Sequence, residues 1–259
     1  MTADAWTRAV RHQLRLGRLL PLGDRRDGAW ITERAAEAVL RGVARHVRGV
    51  RLGALRIALA DPADAHEPAV PPPPGALPPG PLRITAECAA VATEPLPAAA
   101  SRLRTALATA AAERLGLVVA EVDLQVTALL DHMDDVDHVD HMDDVDRVDD
   151  VDRSVAAIDH VDDLDLMINV DDGGESRIIA AALAVPGVAR LTGALGGLGR
   201  AVHFEERQGE GALTRLHARV EVAVRADHRA LDVAREVRAR VGEVLPGQPT
   251  VTVLVTRVG

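Results

Sequence analysis

Apolar and polar residues alternate along five stretches of the chain. Leu55, Ile57 and Leu59 share one parity, as do Leu82, Ile84, Ala86 and Cys88, and then Val122, Leu124 and Val126. Leu216, Ala218, Val220, Val222 and Val224 repeat the pattern, followed by Val251, Val253 and Val255. A period of two puts each set on one face of a strand. Between them the spacing turns helical. Thr32 suits the N-cap of a helix running to about Val47, with Ala36, Val39, Leu40 and Val43 on its inner face, and Gly49 follows its close. A helix from about Pro97 to Leu115 carries Leu103, Leu107, Ala110, Ala111 and Leu115. Ser176 offers a cap for a helix through Ile178, Ile179 and Leu183, and another helix carries Leu231, Ala234, Val237, Val241 and Val244.

The order helix, strand, strand, helix, strand thus occurs twice. Val50 matches Val188 at an offset of 138, Leu82 matches Leu216 at 134, and Val122 matches Val251 at 129. Shrinking offsets mean shorter loops in the second copy. A degenerate tandem duplication accounts for this. Each strand–helix–strand segment predicts a parallel pair, and each loop-joined first pair an antiparallel one. The expected fold class is α+β: two similar small units, each a mixed sheet with helices mainly on one face, joined by a disordered acidic linker. The boundaries predicted are 27–130 for the first unit, 131–172 for the linker and 173–259 for the second unit. Residues 1–26 precede them as an amphipathic segment. Its helix spans 5–20, with Arg8, Arg11, Arg15 and Arg18 on one side and Trp6, Val10, Leu14, Leu16, Leu19 and Leu20 on the other. Docking on the first unit is the simple reading of that helix; an anionic membrane surface or partner is the sharper one. Asp24–Gly28 then reads as a charged turn.

Residues 61–81 hold Pro62, Pro68, Pro71 to Pro74, Pro78, Pro79 and Pro81, which argues for a solvent-exposed loop between two strands. From Asp131 to Arg153 an Asp-x-Val/Met triplet repeats. A step of three winds an apolar line around a helix and alternates faces in a strand, so neither element gathers a buried side. With like charges repelling, disorder is the expectation.

Charge is split accordingly. Residues 131–172 carry 17 Asp and 2 Arg, net −15, so the −9 of the whole chain leaves +6 for the rest. There is no lysine, and Ala, Val, Gly, Asp and Arg dominate, which fits a GC-rich, actinobacterial genome. Aromatic residues are 1% of the chain, namely Trp6, Trp30 and Phe204, so base-stacking recognition of single-stranded nucleic acid has little to work with. Cys88 alone excludes an internal disulfide and a multi-cysteine metal site, and its parity reads as a buried strand position. No run reaches the roughly 18 apolar residues of a membrane span, and the arginines interrupt any secretory h-region. A cytoplasmic protein is expected.

Candidate chemistry is sparse. His132, His138, His141 and His160 with the Asp triplets suggest weak association of divalent cations, but the repeat lacks the mid-loop Gly and final Glu of an EF-hand. A cation-binding or cation-sensing module is therefore the alternative function. Gly193, Gly196, Gly197 and Gly199 lack the Gly-Lys-Ser/Thr of a phosphate loop; Gly196-Gly197-Leu198-Gly199 fits the letters of a KH-type clamp without basic residues clustered around it. His203, Glu205 and Glu206 form a conceivable acid–base set but read more simply as polar loop residues. Arg235, Arg238 and Arg240 read as a solvated helix face. No catalytic, cofactor or metal residues are assigned, and the protein is expected not to be an enzyme.

The units resemble the alkaline-shock (envelope stress response) protein family. The carriers are Gly28 through Thr32 before a capped helix, Val47-Arg48-Gly49-Val50, and above all Val185-Pro186-Gly187-Val188-Ala189-Arg190-Leu191-Thr192-Gly193. The later halves, 82–127 and 216–258, also look like the family's Val strand, Val/Arg helix and Val-x-Val-x-Val strand. Arg48 stands where the family has Pro, the proline insertion is extra, the second unit lacks a clear opening strand, and tandem copies are unusual. The Val/Asp run also looks like the repeats of the nucleopolyhedrovirus fibrillar protein family, through composition. The first resemblance implies a stress-associated protein without catalysis, brought to the membrane by a small anchor protein or joined to related alkaline-shock-type proteins.

Overall fold

The computed structural model describes residues 17–131, 172–194, 200–208, 214–247 and 249–259. Residues 5–16 of the helix expected over 5–20, and nearly all of the Asp-rich linker, lie outside them.

The chain opens with two short strands, β1 (Leu19–Leu22) and β2 (Ala29–Thr32). Leu19 and Leu20, expected at the tail of a helix, are therefore in a strand. Gly17 at φ 69° precedes it, and alternation sends Leu20 and Leu22 into the main core while Leu19 joins a second cluster. Asp24–Gly28 forms the charged turn between the strands. Thr32 caps α1 (Glu33–Ala44), its hydroxyl accepting from the Ala35 N–H, and Ala35, Ala36, Leu40 and Ala44 form the buried stripe. β3 (Val50–Leu59), β4 (Leu82–Val91), α2 (Leu96–Ala110) and β5 (Val119–Leu130) complete the first unit. A π turn, Ala111–Leu115, carries α2 into Gly116 at φ 89°. A Cβ at Gly116 would sit 2.3 Å from that of Leu231, so glycine is required where the two units touch.

The second unit runs α3 (Asp172–Leu183), β6 (Val188–Leu191), β7 (Val202–Gln208), β8 (Thr214–Val224), α4 (Ala230–Val244) and β9 (Thr250–Val258). α3 begins at Asp172, so Ser176 lies inside it and is not its cap.

The architecture is α+β, and the two units repeat one topology. β3 is antiparallel to β4 and β4 parallel to β5; β6 and β7 are antiparallel to β8 and β8 parallel to β9. The registers keep the sequence offsets. Val50 opposite Ala90 corresponds to Val188 opposite Val224, and Ile84 opposite Val122 to Ala218 opposite Val251. Even an irregularity is repeated. The ladder skips Thr127 after the Cys88–Val126 pair and Thr256 after the Val222–Val255 pair. Each threonine hydroxyl donates to the carbonyl across the bulge, Cys88 at 3.4 Å and Val222 at 3.3 Å.

The units are not separate bodies. β2 pairs in parallel with β9, so the opening strands of the first unit extend the sheet of the second, in the order β1-β2-β9-β8 with β6 and β7 beyond. Core residues of both units, among them Ile31, Leu40, Ile57, Leu103, Val220 and Val253, form one continuous cluster.

The proline-rich loop departs from expectation. Part of it folds back over the outer face of the larger sheet, where Val70 packs with Trp30, Leu19 and Leu254. The Trp30 indole N–H donates to Leu77 O at 3.2 Å, Thr252 Oγ1 to Pro71 O at 2.9 Å and Leu77 N to Leu19 O at 2.8 Å. Pro71 offers only a carbonyl, whereas Leu77 both accepts from Trp30 and donates to Leu19, so the strap is held by acceptors and a donor together. Trp30 is only 1% exposed beneath it.

Candidate functional site

On β8, Ala218, Val220, Val222 and Val224 face the core, which leaves His217, Arg219 and Glu221 on the opposite face. Glu221 is nevertheless fully buried. The backbone groups bonded to it flank the insertion of the second unit. In the first unit β3 bends at a bulge between Leu52 and Leu55, containing only Gly53 and Ala54. At the corresponding place β6 ends at Leu191 and β7 begins at Val202, and the Gly-rich stretch lies between them.

Both described ends of that stretch are tied to Glu221. Thr192 N donates to Glu221 O and Glu221 N to Ala201 O, each at 2.9 Å, while Ala194 N donates to the carboxylate Oε2 at 2.6 Å. Thr192 Oγ1 lies 2.7 Å from Thr256 Oγ1, joining the insertion to the β9 bulge. His203 Nε2 and Arg219 Nε stand 3.7 and 3.8 Å from Glu221 Oε1, in reach of charge attraction but beyond hydrogen bonding. Arg219 Nε is buried without a hydrogen-bond partner among the described residues.

His203, expected in a loop beside Glu205 and Glu206, is in strand β7. Its Nε2 lies 2.9 Å from Arg200 O, and a carbonyl only accepts, so the proton is on that nitrogen. Burial, then the nearby Arg219 charge, lowers the His203 pKa below 6.5. An imidazole that donates from Nε2 to Arg200 O, beside a carboxylate that accepts from Ala194 N, is a positioning arrangement. It holds the start and end of the insertion against β8.

A second polar cluster fastens the charged turn. Asp27 accepts from Arg235 Nε at 2.7 Å and from an Arg235 terminal nitrogen at 3.0 Å, and Arg238 donates to the carbonyls of Arg26 and Asp27. Burial opposes ionisation of Asp27, yet the Arg235 contacts and a backbone N–H from Asp24 bring its pKa below 3.8. Arg235 and Arg238, expected to be solvated, therefore clamp the two units together, while Arg240 pairs with Glu236 one helical turn away. At α1, Arg18 binds Glu33 and donates to Ile57 O, linking β1 to β3.

Two open surface clefts lie nearby. One, of about 400 Å³, is bordered by Arg25, Arg26, His66, Pro79 and Val118; the other, of about 360 Å³, by Arg235, Arg238, Pro249 and Val251. Neither brings a nucleophile against a base. Among the described residues no group of three His, Cys, Asp or Glu is disposed to hold a metal ion, and the histidines of the acidic run lie outside those residues. Cys88 is buried in β4, and burial raises its thiol pKa. No helix among the described residues is long and apolar enough to cross a membrane.

Sequence reasoning missed Glu221 and Asp27 because each sits at a position that a two-layer pattern assigns to solvent. The available signal was the repeat. Glu221 falls at the 134-residue offset from Glu87, whose own segment has no insertion above it and which is exposed. No family model, curated protein or solved structure matches the chain.

Proposed function

We propose that the chain is a non-enzymatic structural or interaction protein of the bacterial cell-envelope stress response, built from two alkaline-shock-type units. The observation that carries this reading is the repeat, in which both units share pairing order, registers and a threonine bulge. The Val185-Pro186-Gly187-Val188 close supports it. Gly187 adopts φ 93° and Gly49 φ 73°, so in both units a left-handed glycine stands at the same place in the turn between helix and strand. The buried polar groups of the second unit are engaged in holding backbone, which is what a scaffold requires. In this reading the protein acts in the cytoplasm and reaches the membrane through a small anchor protein or related alkaline-shock-type proteins.

Capture of the tagged full-length chain from cells before and after alkaline and envelope stress tests the proposal. The expected result is a small protein with one membrane span, or a single-unit alkaline-shock-type protein, enriched after stress. Recovery of neither under any stress refutes it. Calorimetric titration of Ca²⁺, Zn²⁺ and Ni²⁺ into the full chain and into one lacking 132–171 addresses the cation reading. Micromolar binding that depends on that segment would replace the scaffold proposal.

A further inference from the structure

The last strand of each unit has corresponding edges but different neighbours. β9 lies between β8 and β2, and its ladder to β2 runs through Val253, Leu254 and Val255. The 129-residue offset carries those positions to Leu124, Gln125 and Val126 of β5, which among the described residues pairs with β4 alone. Among the described residues no strand pairs with the other edge of this 12-residue strand, where Val122 O accepts from Arg104 Nε at 3.0 Å and the backbone groups beyond it, from Leu124 onward, meet no strand.

Apolar exposure gathers at the same place. The described residues hold four exposed large hydrophobic side chains. Val126 at 37% and Leu129 at 59% are on β5, and Val118 at 47% directly precedes it; Leu183 is elsewhere. The bulge at Thr127 turns Val126 and Leu129 to one side, since they stand opposite Cys88 and Ala90, both of which face the core. Glu121 and Asp123, near the start of the strand, are ion-paired with Arg83. From Leu124 to Leu130 there is no charge, no Pro and no Gly, the composition that edge strands of monomers avoid.

We infer that this edge receives a second copy of the chain, β5 pairing antiparallel with β5 about a twofold axis. The uncharged stretch meets itself without setting carboxylate against carboxylate. A twofold contact is self-complementary, so Val126 and Leu129 of both copies come together on the helix side of the joined sheet. Two three-stranded sheets then form one of six strands, the size the other sheet already has. The inference stands on the edge alone and is independent of the stress-response reading.

Light scattering after size exclusion, and sedimentation velocity over a range of concentrations, test it on the full chain. The expected species has twice the 27.4 kDa chain mass. Leu129→Asp weakens the dimer by about thirtyfold or more while circular dichroism and melting are retained. Should that variant lose its fold, Ala128→Asp, at an exposed position of the same edge, carries the test. Hydrogen exchange adds a second readout, with the amides of 124–130 slow in the dimer and fast on dilution or in the variant. A wild-type chain that stays monomeric at every concentration overturns the inference, and slow amides in that monomer would assign the edge to a segment of the same chain. A dimer indifferent to both substitutions also overturns it, by locating the contact elsewhere.

Discussion

Replacing Ile31 by alanine tests whether the two units unfold as one body. Ile31 is fully buried in β2 opposite Val255, and it shares a cluster with Leu40, Ile57 and Leu103 of its own unit and Val253 of the other. Truncating a core isoleucine costs about 2–5 kcal/mol, more where the surroundings cannot collapse. Here β2 is fixed by strands on both sides, β1 and β9, so the upper part of that range, about 3–5 kcal/mol, is expected. In a chain of this size that lowers Tm by roughly 6–20 °C. Urea unfolding would be followed by far-UV circular dichroism and by the fluorescence of Trp30, in a Trp6→Phe background. Both probes should show one transition, shifted together, and Ile57→Ala on β3 should shift the same transition. Two separate transitions, or a loss below about 1 kcal/mol, would refute the single-core argument.

Arg235→Ala removes both contacts to Asp27. Because Arg235 is 49% exposed, the loss after allowing for solvent screening is about 1–2 kcal/mol near neutral pH. The folded Asp27 pKa is lowered, so this stability is present above 3.8 and fades as pH falls through the folded value; urea titrations of the two proteins should converge in acid. His203 behaves similarly, since its folded pKa lies below 6.5: its neutral-state contribution is present above 6.5 and is lost on acidification. His203→Gln should lack that component, so the wild-type minus variant difference in Tm shrinks as pH drops. Thr256→Val removes hydrogen bonds to Val222 O and Thr192 and should cost about 1–2 kcal/mol by chemical denaturation, whereas Thr127→Val, at an exposed bulge with one long contact, should cost under about 0.5 kcal/mol.

Much of the fold was legible because burial here obeys simple periods. The inward parities of β4, β8 and β9, the Thr32 cap and the left-handed glycines after α1 and α3 follow from local chemistry. Leu19 and Leu20 depart from the helix expected of them because an apolar pair fits a helix tail or a strand equally, and the β2 hairpin that decides between them is not a local signal. The strap over Trp30 was hidden because proline content predicts what a segment cannot form, not what it covers. The Glu221 and Asp27 clusters escaped for a related reason. Each joins residues far apart in the chain, Asp27 to Arg235 across 208 positions, and nothing in either neighbourhood announces the other.

The strand shared between the units also fixes an order of events during synthesis. Thr32 and Thr256, hydrogen-bonded at the end of the β2–β9 ladder, are 224 residues apart. At about 5–20 residues per second, a ribosome takes roughly ten to forty-five seconds between them. During that interval β2 has no β9 to receive it, so a strand made long before its partner is among the last to be finished.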